Sequence, residues 1–299
     1  MKKTLIQLTL ATLVTLTSAS THAQKLKVIA AYPYIASITQ EIAGNSVDIE
    51  SLANAKWDPH FITARPSFIA KLRNADLLIT NGAELEIGWI PPLVNQAKNL
   101  KLGGDGTLDL SRYVDLQEIP QEISRKMGDV HPSGNPHFHL DPYNVIPIAK
   151  AISSRLIKLD SANTANYEHG LKIFLQKWNE HLQNWEKSMA SLKGQNVVQY
   201  HNLFHYFLHR FQISSVATVE RLPGIPPTAE HMIDLEKQIK NNHVNIVIQD
   251  IYHPDNAAKI ITQKLGLKLV YLPHDVGAAS HTENIFALFD EIVRLMTHD

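Results

Sequence analysis

The chain contains no cysteine in its 299 residues. That excludes disulfides, thiolate metal ligands and a lipid-bearing cysteine at an export cleavage site, and it leaves His, Asp and Glu as the only strong metal ligands. An excess of charge of either sign is also missing. Twenty-eight Lys+Arg against 29 Asp+Glu give a formal charge of −1 with no basic stripe, so no nucleic-acid partner is expected. Beyond residue 23 no apolar run is long enough to cross a bilayer, so direct membrane insertion is not expected either. What the chain does have is histidine, 16 in all, on an ordinary globular background of 44% apolar residues. Its length suffices for a full core and for two domains.

Residues 1–23 read as a signal peptide rather than as fold. Lys2 and Lys3 form a positive start, residues 5–16 are mostly apolar, and Thr21-His22-Ala23 offers small residues for cleavage before Gln24. Cleavage removes two lysines and no acid, which moves the formal charge to −3. An exported, unanchored, cysteine-free chain fits the periplasm of a Gram-negative bacterium.

Apolar runs at 26–31, 47–52 and 76–81 alternate with helical patterns at 35–43, 68–73 and 89–97. Such alternation predicts a parallel α/β sheet. The segment 120–136 is rich in Pro, Gly and Ser and reads as loop, with His131 inside it. From 162 to 192 the apolar residues Tyr167, Leu171, Phe174, Trp178, Leu182, Trp185, Met189 and Leu192 recur every three or four positions, with Gly170 the only interior glycine. This is one amphipathic helix roughly 45 Å long, ended at Lys193-Gly194. Strands at 195–200, 245–249 and 268–272 follow, with helices at 204–211, 228–240, 256–265 and 284–296. The order Pro-Ser/Thr, helix, buried strand occurs at 66–81 and again at 227–249. The expected fold class is α/β, with two similar parallel-sheet lobes joined by one long rigid helix. The expected divisions are 1–23 (signal), 24–160 (N-terminal lobe), 161–192 (helix) and 193–299 (C-terminal lobe).

Four dispersed segments end in a metal-capable side chain: Asp58-Pro59-His60-Phe61, Asn135-Pro136-His137-Phe138-His139, Tyr200-His201-Asn202 and Pro273-His274-Asp275-Val276. Three imidazoles and a carboxylate suit zinc. His60, His201 and the His274-Asp275 pair follow expected strands, and His137 lies in a loop. Functional groups in α/β sheets gather at the carboxyl ends of strands, so a site in the cleft between lobes is natural. Most other histidines read as solvated or hydrogen-bonded residues. His201, His205 and His209 could share a helical face, but His201 is expected to precede that helix. His137 and His139 form an H-x-H pair whose second member could be a ligand, a donor behind the ligands or a packing residue. His253 and His281 fall in expected loops.

These segments resemble the zinc and manganese solute-binding proteins of ABC transporters over essentially the whole mature chain. Asp58-Pro59-His60 followed by Arg65-Pro66-Ser67 is similar to the family's first ligand loop. Asn81-Gly82-Ala83-Glu84-Leu85-Glu86 with Trp89, Asn135 to Pro142, Tyr200 to Phe207 and Pro223 to Thr228 resemble four further family stretches. The resemblance implies metal ligands at His60, His137 and His201. The fourth place falls to Asp275 or, shifted by one residue, to His274; Asp275 would supply the anion. His139 stands where the family usually has Trp, which opens His139 as another candidate. The long His/Asp-rich loop of some zinc members is absent. Manganese members use two His and two carboxylates, so His201 points to Zn2+ as the carried ion ahead of Mn2+. The implied function is periplasmic capture of zinc and its delivery to an ABC-type membrane permease by a monomer that is not an enzyme. A secreted zinc hydrolase and a chelate- or vitamin-binding transport protein are the alternatives. Neither H-E-x-x-H nor G-x-S-x-G is present for the first, and the strand-end histidines argue against the second.

Overall fold

Val28, Ile29 and Ala30 are consecutive buried residues at the end of the first strand. An unbroken apolar run of this kind belongs to a parallel strand covered on both faces. The structure, a computed structural model, describes residues 25–122 and 131–298; the signal segment expected over 1–23 lies outside them. The first half runs β1 (Leu26–Ala30), α1 (Pro33–Ala43), β2 (Val47–Ser51), α2 (Pro66–Arg73), β3 (Leu77–Thr80), α3 (Ile90–Ala97) and β4 (Thr107–Asp109). Proline opens α1 and α2, where its missing N–H costs nothing and its fixed φ suits the first turn. After α4 (Val145–Leu159) and α5 (Thr164–Met189) the second half runs β5 (Asn196–Gln199), α6 (His205–Arg210), β6 (Ser214–Thr218), α7 (Ala229–Asn241), β7 (Ile246–Asp250), α8 (Asn256–Leu265), β8 (Lys268–Leu272) and α9 (Ile285–Thr297).

The two sheets are parallel throughout, with orders β2-β1-β3-β4 and β6-β5-β7-β8. Each is thus ordered second, first, third, fourth, and the repeat of elements seen in the sequence is a repeat of topology. The long helix is α5, 26 residues with short 3₁₀ turns at both ends. Three elements add to the sequence pattern: β4, α4 and the edge strand β6.

The apolar stripe of α5 is buried at Tyr167, Phe174, Trp178, Leu182, Trp185 and Met189. Phe286 and Phe289 of α9 lie against it, with ring centroids 5.2 and 5.4 Å from Trp178. The indole N–H of Trp178 donates to the Pro142 carbonyl (2.8 Å), and that of Trp185 donates to Asp290 of α9 (2.7 Å). The amide of Ile285 donates to Ser37 of α1 (2.9 Å). Helix α9 therefore follows the second sheet in sequence yet packs on α5 and α1. One continuous apolar cluster includes residues of both sheets, and a smaller one lies between the second sheet and α7 and α8.

Gly170 shows how closely α5 and α1 approach: a Cβ there would stand 2.0 Å from the Ile42 carbonyl oxygen. Alanine is the better helix former by about 1 kcal/mol, but here the clash with fixed backbone outweighs that gain. Gly170→Ala is expected to lower stability by about 1–3 kcal/mol, read as a lower urea midpoint. An unchanged or raised midpoint would contradict this packing.

Candidate metal centre

His60, His137 and His201 come together from three loops. His60 sits in the turn after β2, where Asp58 Oδ1 accepts both its backbone N–H and its Nδ1–H, each at 2.9 Å. His137 is oriented by Asn135, whose side-chain oxygen accepts the His137 amide (2.9 Å). His201 follows β5 directly, and its Nδ1 donates to Glu220. One ring nitrogen from each of the three lies within 4.8 Å of the other two. Nε2 of His137 and Nε2 of His201 are 3.3 Å apart. Zinc–nitrogen bonds near 2.0–2.1 Å in a tetrahedron place neighbouring ligand nitrogens about 3.3 Å apart, so this pair already has the spacing of one tetrahedral edge. Nε2 of His60 is buried and has no hydrogen-bond partner. Burial, and then the nearby His60 and His201, push His137 well below the usual histidine range and keep it a neutral, ligand-competent imidazole.

Carboxylates stand behind two of the rings. Asp58 on His60 and Glu220 on His201 fix which nitrogen carries the proton, and such partners make an imidazole a stronger ligand. Burial alone would raise the Asp58 carboxyl; its hydrogen bonds to His60 and the nearby imidazoles hold it below its usual range instead. Sequence reasoning missed Glu220 and Asp250 and left His253 undecided. Asp250 ends β7 and holds Nδ1 of His253 at 2.9 Å. Burial would lower His253, but Asp250, Glu220 and Asp58 raise it overall.

The candidates for a fourth ligand lie differently. Among the described residues, Asp275, His274 and His139 are not part of the close cluster. The Asp275 carboxyl group is buried and accepts the amide of Val276 (2.7 Å); burial pushes it up to about 8. The His274 ring is buried and meets Tyr252 edge-on, with centroids 4.8 Å apart. His139 stacks on Tyr34 (4.4 Å) and its Nε2 donates to the His274 carbonyl (3.0 Å), so it packs and ties two loops. His131 lines the mouth of the site, its ring 5.3 Å from that of His60. His205 begins α6, so His201 does precede that helix, and His205 bonds Gln117 (2.9 Å).

The stretch from Asn81 to Glu86 is the cradle for His137. Glu86, pushed up to about 8 by burial, accepts the amides of Asn81 (2.6 Å) and Gly82 (3.0 Å). Asn81 then donates to the Pro136 carbonyl (3.1 Å) and accepts from Tyr34 (2.8 Å). Gly82 has φ +83°, and a Cβ there would strike Asp109, so only glycine makes this turn. On the opposite side α6 holds the same segment. The Tyr206 hydroxyl donates to the Asn135 carbonyl (2.8 Å), and Arg210 pairs with Asp141 through two N–H groups. Glu118 accepts from Asn135 (2.8 Å) and Asn202 (2.7 Å) across the mouth of a cavity of about 190 Å³ that reaches His137 and His201.

Comparison with known proteins identifies the family. The family described as "Zinc-uptake complex component A periplasmic" matches residues 28–298. A manganese ABC transporter substrate-binding lipoprotein of Streptococcus anginosus is 27% identical, covering 84% of this chain and 80% of the relative. An iron ABC transporter substrate-binding lipoprotein of Streptococcus pyogenes serotype M1 is 30% identical, covering 72% and 70%. The crystal structure of ZnuA superposes with a TM-score of 0.76 at 21% identity, covering 91% of this chain and 99% of that one.

The buried histidines beside the triad set an acid limit to stability. Burial lowers His139 and His274 from an ordinary 6.5 to about 4. As pH falls below 6.5 the unfolded chain takes up these protons and the folded chain does not. The stability they permit is therefore complete above 6.5 and lost progressively down to about 4, by roughly 3 kcal/mol per histidine. His139→Phe keeps a ring on Tyr34 and removes one of the two groups. Urea unfolding of metal-free protein between pH 7 and 4.5 should show a shallower acid slope for this variant. Parallel slopes would refute the assignment.

Proposed function

Since the chain belongs to the periplasmic zinc-uptake component A family, we propose that it captures Zn2+ between its two lobes and delivers it to an ABC-type membrane permease. The observation that carries the metal reading is the convergence of His60, His137 and His201, with two Nε2 atoms already at tetrahedral spacing. Relatives are named for manganese and for iron, so family membership alone does not choose the ion. An all-imidazole triad supports zinc, because Mn2+ prefers oxygen ligands. Of the candidates for a fourth place only Asp275 would bring a negative charge, and to bind it would give up the amide of Val276. Export by the segment 1–23, a periplasmic location and action as a monomer complete the proposal.

In this reading His60 and His137 approach the ion from the first half and His201 from the second. Asp58 and Glu220 keep the imidazole protons away from it. Capture and release involve no bond-making beyond coordination, so the proposed activity is not enzymatic. The shared core limits movement between lobes, and release would proceed through the loops that carry the ligands.

Competitive titration of Zn2+ against Mn2+ on the purified chain tests this. One zinc per chain at sub-micromolar affinity is expected, with weaker manganese. Alanine at His60, His137 or His201 should each weaken zinc at least tenfold, and Asp275→Asn should cost less than any of these. Tighter manganese would overturn the zinc reading, and wild-type affinity in all three histidine variants would overturn the site.

A further inference from the structure

His253 stands at the end of β7, behind the triad rather than in it. Asp250 fixes it twice, accepting its amide (2.9 Å) and its Nδ1–H (2.9 and 3.0 Å to the two oxygens). Its ring rests on Tyr200, with centroids 4.8 Å apart. The other nitrogen, Nε2, lies 4.0 Å from Asp58 Oδ2 and 3.9 Å from Glu220 Oε2. These are the second oxygens of the two carboxylates whose first oxygens hold His60 and His201. Asp58 belongs to the first half of the chain, while Glu220 and His253 belong to the second. Nε2 carries its own proton in the imidazolium form that Asp250, Glu220 and Asp58 together favour, and it sits at ion-pair separation from both orienting carboxylates, across the cleft. Outside it is a groove of about 330 Å³ lined by Asp58, Glu220 and His253 together with Phe61, Gly224 and Pro227.

We propose that His253 is a specificity-determining positioning residue, whose Nε2–H engages the outer oxygens of Asp58 and Glu220 and withholds them from a hard divalent cation. Carboxylate oxygen suits Mn2+, whereas imidazole suits Zn2+. Without His253, Oδ2 of Asp58 and Oε2 of Glu220 would face the groove with Asp250 behind them. An oxygen-rich cation site would then open beside the triad. With His253 in place those oxygens are engaged, and the carboxylates act on the metal only through His60 and His201. The three imidazoles alone then meet the ion. This inference rests on the zinc reading proposed above and names a residue that sets its selectivity.

The test compares Zn2+ and Mn2+ affinities of wild type, His253→Ala and His253→Gln by competitive titration, with metal content measured alongside. His253→Ala should shrink the preference for zinc over manganese at least tenfold, chiefly by tightening manganese. Glutamine keeps an N–H near the position of Nε2 and should shrink it less than threefold. His253→Asn retains the bond to Asp250 but does not reach Asp58 and Glu220; it should behave like alanine and replaces it if the alanine variant does not fold. An unchanged ratio in His253→Ala, or equal weakening of both metals, would overturn the proposal and leave His253 as structural support. A glutamine variant no better than alanine would overturn it as well. If wild type itself does not prefer zinc, the zinc reading fails independently of His253.

Discussion

The indole of Trp178 is the contact on which the rest of the architecture depends. It is fully buried, lies among Phe174, Trp185, Phe286 and Phe289, and gives its N–H to the carbonyl of Pro142, five residues beyond His137. A buried aromatic of this kind is worth about 3–5 kcal/mol against alanine. Its placement matters more than that figure. It joins the long helix, the last helix and the segment bearing one of the triad histidines in a single packed knot. Two lobes with separate cores could rotate freely about a linker. Here one core runs through both, so the loops that carry the triad histidines are set against each other by the fold itself.

That rigidity gives the electrostatics of the cleft their effect. Burial favours the neutral form of His137, while His60 and His201 donate their Nδ1–H groups to carboxylates, so lone pairs can be presented inward. Negative charge sits one layer out, where it polarises the imidazoles without competing for the centre. Arg210 on Asp141, with Tyr143 under the guanidinium at 4.3 Å, closes one flank. Glu118 bridging Asn135 and Asn202 closes another. The contacts of Glu118 are polar and line the mouth, so they are easier to exchange for water than the aromatic knot is. Movement on loading is therefore expected at the rim.

Much of this was legible in sequence because burial leaves a periodic mark. The stripe from Tyr167 to Met189 gave α5, and the apolar runs gave β1, β3, β7 and β8. The three triad histidines stood out by their place in loops, two of them in loops that follow strands. What escaped had physical reasons. β4 is three residues long. Helix α4 carries Pro147 in its first turn, which resembles a break. β6 is Ser-Ser-Val-Ala-Thr, a half-exposed edge strand paired across a register shift, and missing it hid Glu220 two residues beyond. The packing of His139 rests on the ring of Tyr34, over 100 positions earlier, and no local pattern encodes that. Asp250-Ile251-Tyr252-His253 did carry a local signal: a carboxylate three residues before a histidine, at the end of a buried strand.

Helix α9 has a consequence for how the chain comes into being. It follows every other described element in sequence, yet it packs against α5 and α1 and so completes the core of the first half. Domains ordinarily fold as they emerge, N-terminal portions first. In this chain the N-terminal half stays unfinished until residues 285–297 have been synthesised. A polypeptide that cannot lock its first half early stays slack, and open to chaperones and proteases, for longer.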